Sequence, residues 1–302
     1  MSDTSELLKD KTTNDLDDIE LGHFFELERV ALSFDGERTI LKNMTVHQRL
    51  VHLSLAENGH LFKGTFLCFG FPNQIQTISQ SATECKFILF KGTERVHILA
   101  LETINGHLIR QYERMMLLIR QHIPLGRDRE KNEDIYEIPI VALREFVTNA
   151  FVHHDYSQHV RSYIQVEIYD DRIEIKSPGH LPNNVDVNKI EGTVLVNPTI
   201  AAVFYLYRFI EKGGTGINTA QNALHEHGLK PATIENINNP KMVKVTIYRE
   251  RLDVYTPEEE AFWQDVVSKD TLIMYHRYLR KFPNGKYVEE ADKRLDAIEN
   301  EL

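Results

Sequence analysis

The stretch from Pro139 to Tyr156, PIVALREFVTNAFVHHDY, restricts the fold more than any other part of the chain. Ile140, Leu143, Val147, Ala150 and Phe151 recur at helical spacing and form one apolar stripe. Pro139 suits the first turn, where a missing N–H costs nothing. Glu145, Asn149 and His153 lie four residues apart and stack on another face. One helix therefore presents a core face and a face carrying a carboxylate, an amide and an imidazole. A carboxylate can orient a water, and an amide oxygen one turn away can ligate Mg²⁺. Taken alone, the same spacing also describes a polar helix face in solvent.

The remaining chain decides between those readings. Its 302 residues suffice for two domains and a small third. An apolar fraction of 42% and a charged fraction of 26% are ordinary for a soluble globular protein. No apolar run reaches the length of a membrane span and no signal peptide opens the chain, so a cytoplasmic protein with no membrane partner is expected. Residues 1–20 are polar and read as a disordered leader. Cys68 and Cys85 lie in apolar segments without metal spacing and read as buried free thiols. A net charge of −10 argues against a broad nucleic-acid surface, so weak or no nucleic-acid binding is expected.

Residues 21–135 read as a smaller α/β domain. Leu50, Val51, Leu53, Leu55 and Leu61 suggest a helix or a helix and turn. Thr65 to Gly70 reads as a buried strand, and Cys85 to Phe90 as a second one ahead of a Lys91-Gly92-Thr93 turn. Leu108, Ile109, Tyr112, Met115, Met116 and Ile119 mark a helix bearing Arg110, Arg114 and Arg120, with Arg127, Arg129 and Lys131 beyond it. Acidic residues interleave, so this cluster is a solvated face or, less simply, a phosphate-binding patch.

Residues 136–250 carry the chemistry. After the opening helix, Ile164, Val166 and Ile168 alternate with polar residues, Asp170-Asp171 makes a turn, and Arg172 to Lys176 alternates again, which reads as a hairpin. Ser177-Pro-Gly-His-Leu-Pro182 forms an irregular loop. Asn197-Pro198 opens another helical stretch. Glu211-Lys-Gly-Gly-Thr-Gly216 then feeds a helix through Ile217, Ala220, Ala223 and Leu224, stopped by Gly228. A glycine-rich loop ahead of a helix N-terminus can cradle phosphate, although most such loops are only turns. It is not a Walker A loop, and Met242 to Tyr248 is the last strand.

Taken in order, these elements resemble the Bergerat ATP-binding fold of gyrase, MutL and sensor histidine kinases. The resemblance is closer to the RecG-like domain at the C-terminal end of Schlafen/AlbA-type proteins. It rests on Arg144-Glu145, Asn149-Ala150, His153, Asp155-Tyr156, Asp171 to Ile175, Ser177-Pro-Gly179, Leu181-Pro182, Asn197-Pro198 and Glu211 to Gly216, about 110 residues, with a looser likeness back to about residue 40. Arg is replaced by His154 after His153, and by Val196 before Asn197. The loop that reads adenine in the wider superfamily has no Asp here. Most of the AlbA-like N-terminal half and its acidic-aromatic-basic motif are absent, which disfavours a Schlafen-like nuclease.

The resemblance implies an α+β fold: a Bergerat-like two-layer α/β sandwich over residues 136–250, preceded by the smaller α/β domain and followed by a helical tail at 256–302. It implies ATP and Mg²⁺ as ligands, with Glu145 activating water and Asn149 holding both metal and nucleotide. His153, Gly213, Gly214, Thr215 and Gly216 would join the nucleotide site, and Asp171, Ser177 and Gly179 would line its base side. ATP would act as a conformational switch with slow hydrolysis at most, in a bacterial regulator of transcription or of phage defence. The alternative is a nucleotide-free scaffold for protein or DNA. In the tail, Thr256-Pro-Glu-Glu259 is a capping box, and the Tyr275, Tyr278, Phe282-Pro-Asn-Gly285, Tyr287 pattern looks like short helical repeats. Such a unit packs on a protein partner, including a second copy in a homodimer, or forms a lid on this chain's own core.

Overall fold

The computed structural model describes residues 4–33, 43–128, 133–181, 196–210, 215–250, 257–283 and 285–301. The fold is mixed α+β, with a helical C-terminal tail. Its centre is a six-stranded sheet. Along the chain, the strands are β4 (Glu84–Lys91), β5 (His97–Asn105), β8 (Ile164–Ile168), β9 (Arg172–Pro178), β10 (Thr233–Asn238) and β11 (Lys241–Tyr248). Across the sheet they run β10-β11-β9-β8-β4-β5, with β4 and β8 parallel and every other pair antiparallel.

Register sorts the side chains. Phe87, Val166, Ile175 and Val245 fall in line across four strands and face one way. Over that face lie two helices, α6 (Leu108–His122) and α7 (Ile140–Val152). Phe87 meets the His122 ring at 5.0 Å, and Leu143, Phe146, Val147 and Phe151 are essentially inaccessible. The opposite face carries charge. Glu167 and Glu174 stand directly across from one another, a pairing that repels unless cations intervene. Lys176 Nζ lies 2.8 Å from Glu167 and 2.7 Å from Glu174, and Arg95 adds a 3.0 Å contact to Glu167. The edge strand β5 is apolar and open, with Ile98, Leu99 and Leu101 each more than half exposed.

Three expectations change here. The division at residues 135 and 136 does not hold, because β4 and β5 from one side of it extend the sheet made by the other, and one core runs from Leu8 to Ile247. The leader from Thr4 onward is built into the fold. Strand β1 (Leu7–Leu8) pairs with β3 (His60–Phe62), which also pairs with β2 (Ala56–Glu57), and Leu16 is buried. Thr65 to Gly70 is not a strand. Residues Lys63–Phe69 form helix α4, buried at every position, so no polar face marks its period. Gly64 lets it close on helix α8 (Pro198–Leu206): a Cβ there would fall 2.7 Å from the Thr199 Cβ.

The other helices of the main body are α1 (Asp18–Glu26), α2 (Glu28–Leu32), α3 (Val46–His52), α5 (Pro72–Ile78) and α9 (Gly216–Glu226). A small antiparallel pair, β6 (Leu125–Asp128) and β7 (Glu133–Tyr136), precedes α7. The tail comprises α10 (Pro257–Lys269), α11 (Leu272–Lys281) and α12 (Val288–Glu301). Its Trp263, Val266, Tyr278 and Leu295 close on one another in a cluster of their own. Buried Glu259 ties the helices by accepting from the Tyr278 hydroxyl at 2.5 Å and from the Lys286 N–H at 2.7 Å. Thr256 of the expected capping box lies outside the described residues. Cys68 and Cys85 are buried free thiols, and desolvation pushes both well above the ordinary thiol range. Among the described residues no helix is long and apolar enough to cross a membrane.

Candidate functional site

Helix α7 places its polar residues along a gradient of exposure. Glu145 is only 6% exposed, Asn149 is half-buried, and His153 stands exposed at the C-terminal cap. A buried carboxylate needs partners, and Glu145 has a cation on one side. The Arg144 guanidinium donates through Nη2 to Glu145 Oε1 at 3.0 Å. The other oxygen meets helix α9. A Cβ built on Gly216 would lie 2.7 Å from Glu145 Oε2, closer than side chains approach. Glycine at 216 thus lets the helix start lie against the carboxylate.

The start of α9 has anion-binding character. An α-helix leaves its first four N–H groups without intrahelical acceptors, and its dipole is positive there. Thr215 at the cap makes no side-chain hydrogen bond to those groups. Glu145 therefore lies between the Arg144 guanidinium and the positive end of an 11-residue helix. Asn149 is one turn further along α7, and its amide has no hydrogen-bond partner among the described residues. A free amide oxygen beside a carboxylate and a helix N-terminus suits a divalent cation carried in with phosphates. Among the described residues no cluster of three or more His, Cys, Asp or Glu exists to hold a metal by itself.

The end of β9 reaches the C-terminal end of the same helix. The Asp155 N–H donates to the Pro178 carbonyl at 2.9 Å. Gly179 adopts φ +143°, a conformation that L side chains rarely adopt, and lies beside the His153 carbonyl, 3.4 Å from where a Cβ would stand. Buried Ser177 falls in register with Val243 on the face that α7 covers. The structure thus brings Ser177 and Gly179 to the His153 end of α7, and Glu145 to Gly216, which Thr215 precedes as the cap of α9. Gly213 and Gly214 lie outside the described residues. Asp171 is not brought in. It occupies the β8–β9 turn, six residues or about 20 Å of extended strand from Ser177, where its carboxylate accepts from the Arg172 guanidinium and its main-chain carbonyl from the Arg249 N–H. The two ends of one strand cannot line one side of a base.

Sequence reasoning quoted Arg144, Asn197 and His154 but gave none of the three a role. Arg144 adjoins Glu145 in sequence, and neighbours on a helix ordinarily point apart, so the contact was not legible from spacing. Asn197 is fully buried and donates through Nδ2 to the Val152 and His154 carbonyls, at 2.7 and 2.8 Å. It caps the C-terminal end of α7 from a distance of 45 residues in the chain. His154, which replaces the expected arginine, is also fully buried. Its Nε2 pairs with the Ser81 hydroxyl at 2.9 Å, and desolvation pushes its pKa down to about 3, so it is neutral. The expected basic cluster on α6 is partly spent: Arg114 makes a bidentate pair with Glu102, at 2.6 and 2.8 Å.

Comparison with known proteins gives two findings. Residues 162–247 match the family described as "Putative ATP-dependent DNA helicase recG C-terminal". The match supports a nucleotide-binding module, and it covers β8 to β11 and helix α9 but not helix α7. No curated protein sequence matches the chain. A solved structure, that of the DIP2311 protein from Corynebacterium diphtheriae, superposes over 98% of this chain with a TM-score of 0.65 and 19% identity. This similarity establishes the fold alone, and the chain spans 60% of that protein's length.

Proposed function

We propose that the chain is a Mg–ATP-binding regulatory module of the GHKL-like, RecG C-terminal-like type, working as a conformational switch with slow or no hydrolysis. The observation that carries this reading is the approach of Gly216 to Glu145, which sets the start of α9 against the polar face of α7. Phosphate oxygens would take the uncapped N–H groups of α9 and of the preceding glycine-rich segment. The Asn149 amide oxygen would hold Mg²⁺, which supplies charge neutralisation to the phosphates when bound. Glu145 would orient a water, and Ser177 and Gly179 would sit toward the base. The family match over 162–247 supports the nucleotide class. A cytoplasmic setting, and a role in bacterial transcription regulation or phage defence, belong to the same proposal, as does a protein partner or second copy held by the tail.

A nucleotide-free scaffold is the second reading, and Glu145 favours it in one respect: its carboxylate already has a cation beside it. Calorimetric titration of ATP, with and without Mg²⁺, separates the two. Glu145→Gln keeps shape and removes charge, so ATP should still bind while any turnover disappears. Asn149→Ala removes a metal ligand, so Mg²⁺-dependent binding should weaken by roughly 1–3 kcal/mol. If neither the wild type nor the variants bind ATP, the scaffold reading replaces the switch.

A further inference from the structure

We infer that Arg144 is a positioning residue whose task is to neutralise Glu145 so that a polyphosphate can share the start of helix α9 with a carboxylate. The inference rests on the nucleotide reading above and adds a requirement which that reading lacks. Glu145 Oε2 lies against Gly216, the first residue of α9, while Oε1 is 3.0 Å from Arg144 Nη2. The Glu145 side chain is only 8% exposed, so water does little to screen its charge. An anion arriving at this helix terminus therefore meets a fixed negative charge within a few ångströms. Two like charges at that distance in a poorly hydrated site repel strongly, and the dipole of one helix offsets only part of the repulsion. The Arg144 guanidinium is the cation in contact with that carboxylate among the described residues. Its Nε is also buried with no acceptor, so the side chain keeps donor capacity beyond the bond to Glu145.

The consequence is a thermodynamic coupling between two neighbouring residues that simple packing would not produce. Binding of ATP and of inorganic pyrophosphate, each with Mg²⁺, is measured by calorimetry on the full chain. The variants are Arg144→Gln, Arg144→Lys, Glu145→Gln and the double Arg144→Gln/Glu145→Gln, each checked for folding by circular dichroism. Arg144→Gln should weaken both ligands about tenfold or more. Arg144→Lys should stay close to wild type, because charge is kept. The double variant should recover affinity to within about twofold of Glu145→Gln, because the carboxylate no longer needs a counter-charge. Unchanged affinity in Arg144→Gln, or a double variant as weak as that single one, overturns the inference and leaves the nucleotide reading standing. Absence of binding by both wild type and Glu145→Gln removes the nucleotide reading, and this inference with it.

Discussion

Asn197→Ala tests whether the support of the site is as the structure describes. The side chain is wholly buried, and its amide donates to two carbonyls, Val152 and His154, at the end of α7. The Val152 carbonyl is among those that a helix end leaves without intrahelical donors, and the His154 carbonyl lies just past the cap residue His153. Alanine removes both donors and admits no water, so each carbonyl is left buried and unpaired at about 1–3 kcal/mol apiece. One offset enters, because the Asn197 Oδ1 is itself buried without a partner and its desolvation cost disappears with the side chain. A net destabilisation of about 2–4 kcal/mol follows. Asn197→Asp should be worse, since it sets a carboxylate against two carbonyl oxygens. Urea unfolding followed by far-ultraviolet circular dichroism measures the loss, with the transition of the main body assigned by comparison with a chain ended after Arg251. A shift below about 0.5 kcal/mol in Asn197→Ala would refute the capping role of Asn197 at this end of α7.

Gly216→Ala places a Cβ 2.7 Å from Glu145 Oε2, so the carboxylate must shift by about 0.7 Å to reach ordinary 3.4 Å contact. Nucleotide affinity should fall about tenfold, with an unfolding midpoint near wild type because the acid is the movable end of a side chain; unchanged binding would separate Gly216 from the site. His154 is neutral in the fold with a pKa of about 3 but ordinary when unfolded. The unfolded chain then takes up a proton that the fold refuses, and stability is lost as pH falls below about 6.5, by up to about 1.4 kcal/mol per unit from this group. His154→Gln should flatten the pH dependence of the urea midpoint between about pH 6 and 4, and an unchanged slope would rule the group out. Ending the chain after Arg251 should leave the main body folded, because the tail buries its aromatic residues in a separate cluster, and light scattering should report changed self-association. Duplex DNA should bind weakly and with strong salt dependence, given a net charge of −10; a complex stable at high salt would contradict this.

Local pattern by itself determined much of the central unit. Alternation in Ile164–Ile168 and Arg172–Lys176 required a hairpin with one apolar face, although Glu167 and Glu174 on the other face are buried as well, and spacing alone put Glu145 and Asn149 one turn apart on α7. Gly228 was legible as the stop of α9 because its φ of +71° is one that glycine adopts freely. Tertiary structure decided the rest. Helix α4 is buried all round, so its seven residues carry no period to read. Strand β5 escaped notice because an exposed edge does not need to alternate, and its place beyond β4 merges two expected domains into one sheet. Asp171 and Ser177 are close in sequence, yet extended backbone carries them to opposite ends of a strand. Gly216 and Glu145 are 71 positions apart, and no spacing rule links them. They meet because α9 packs along α7, and that contact exists only once both helices share a core with the sheet.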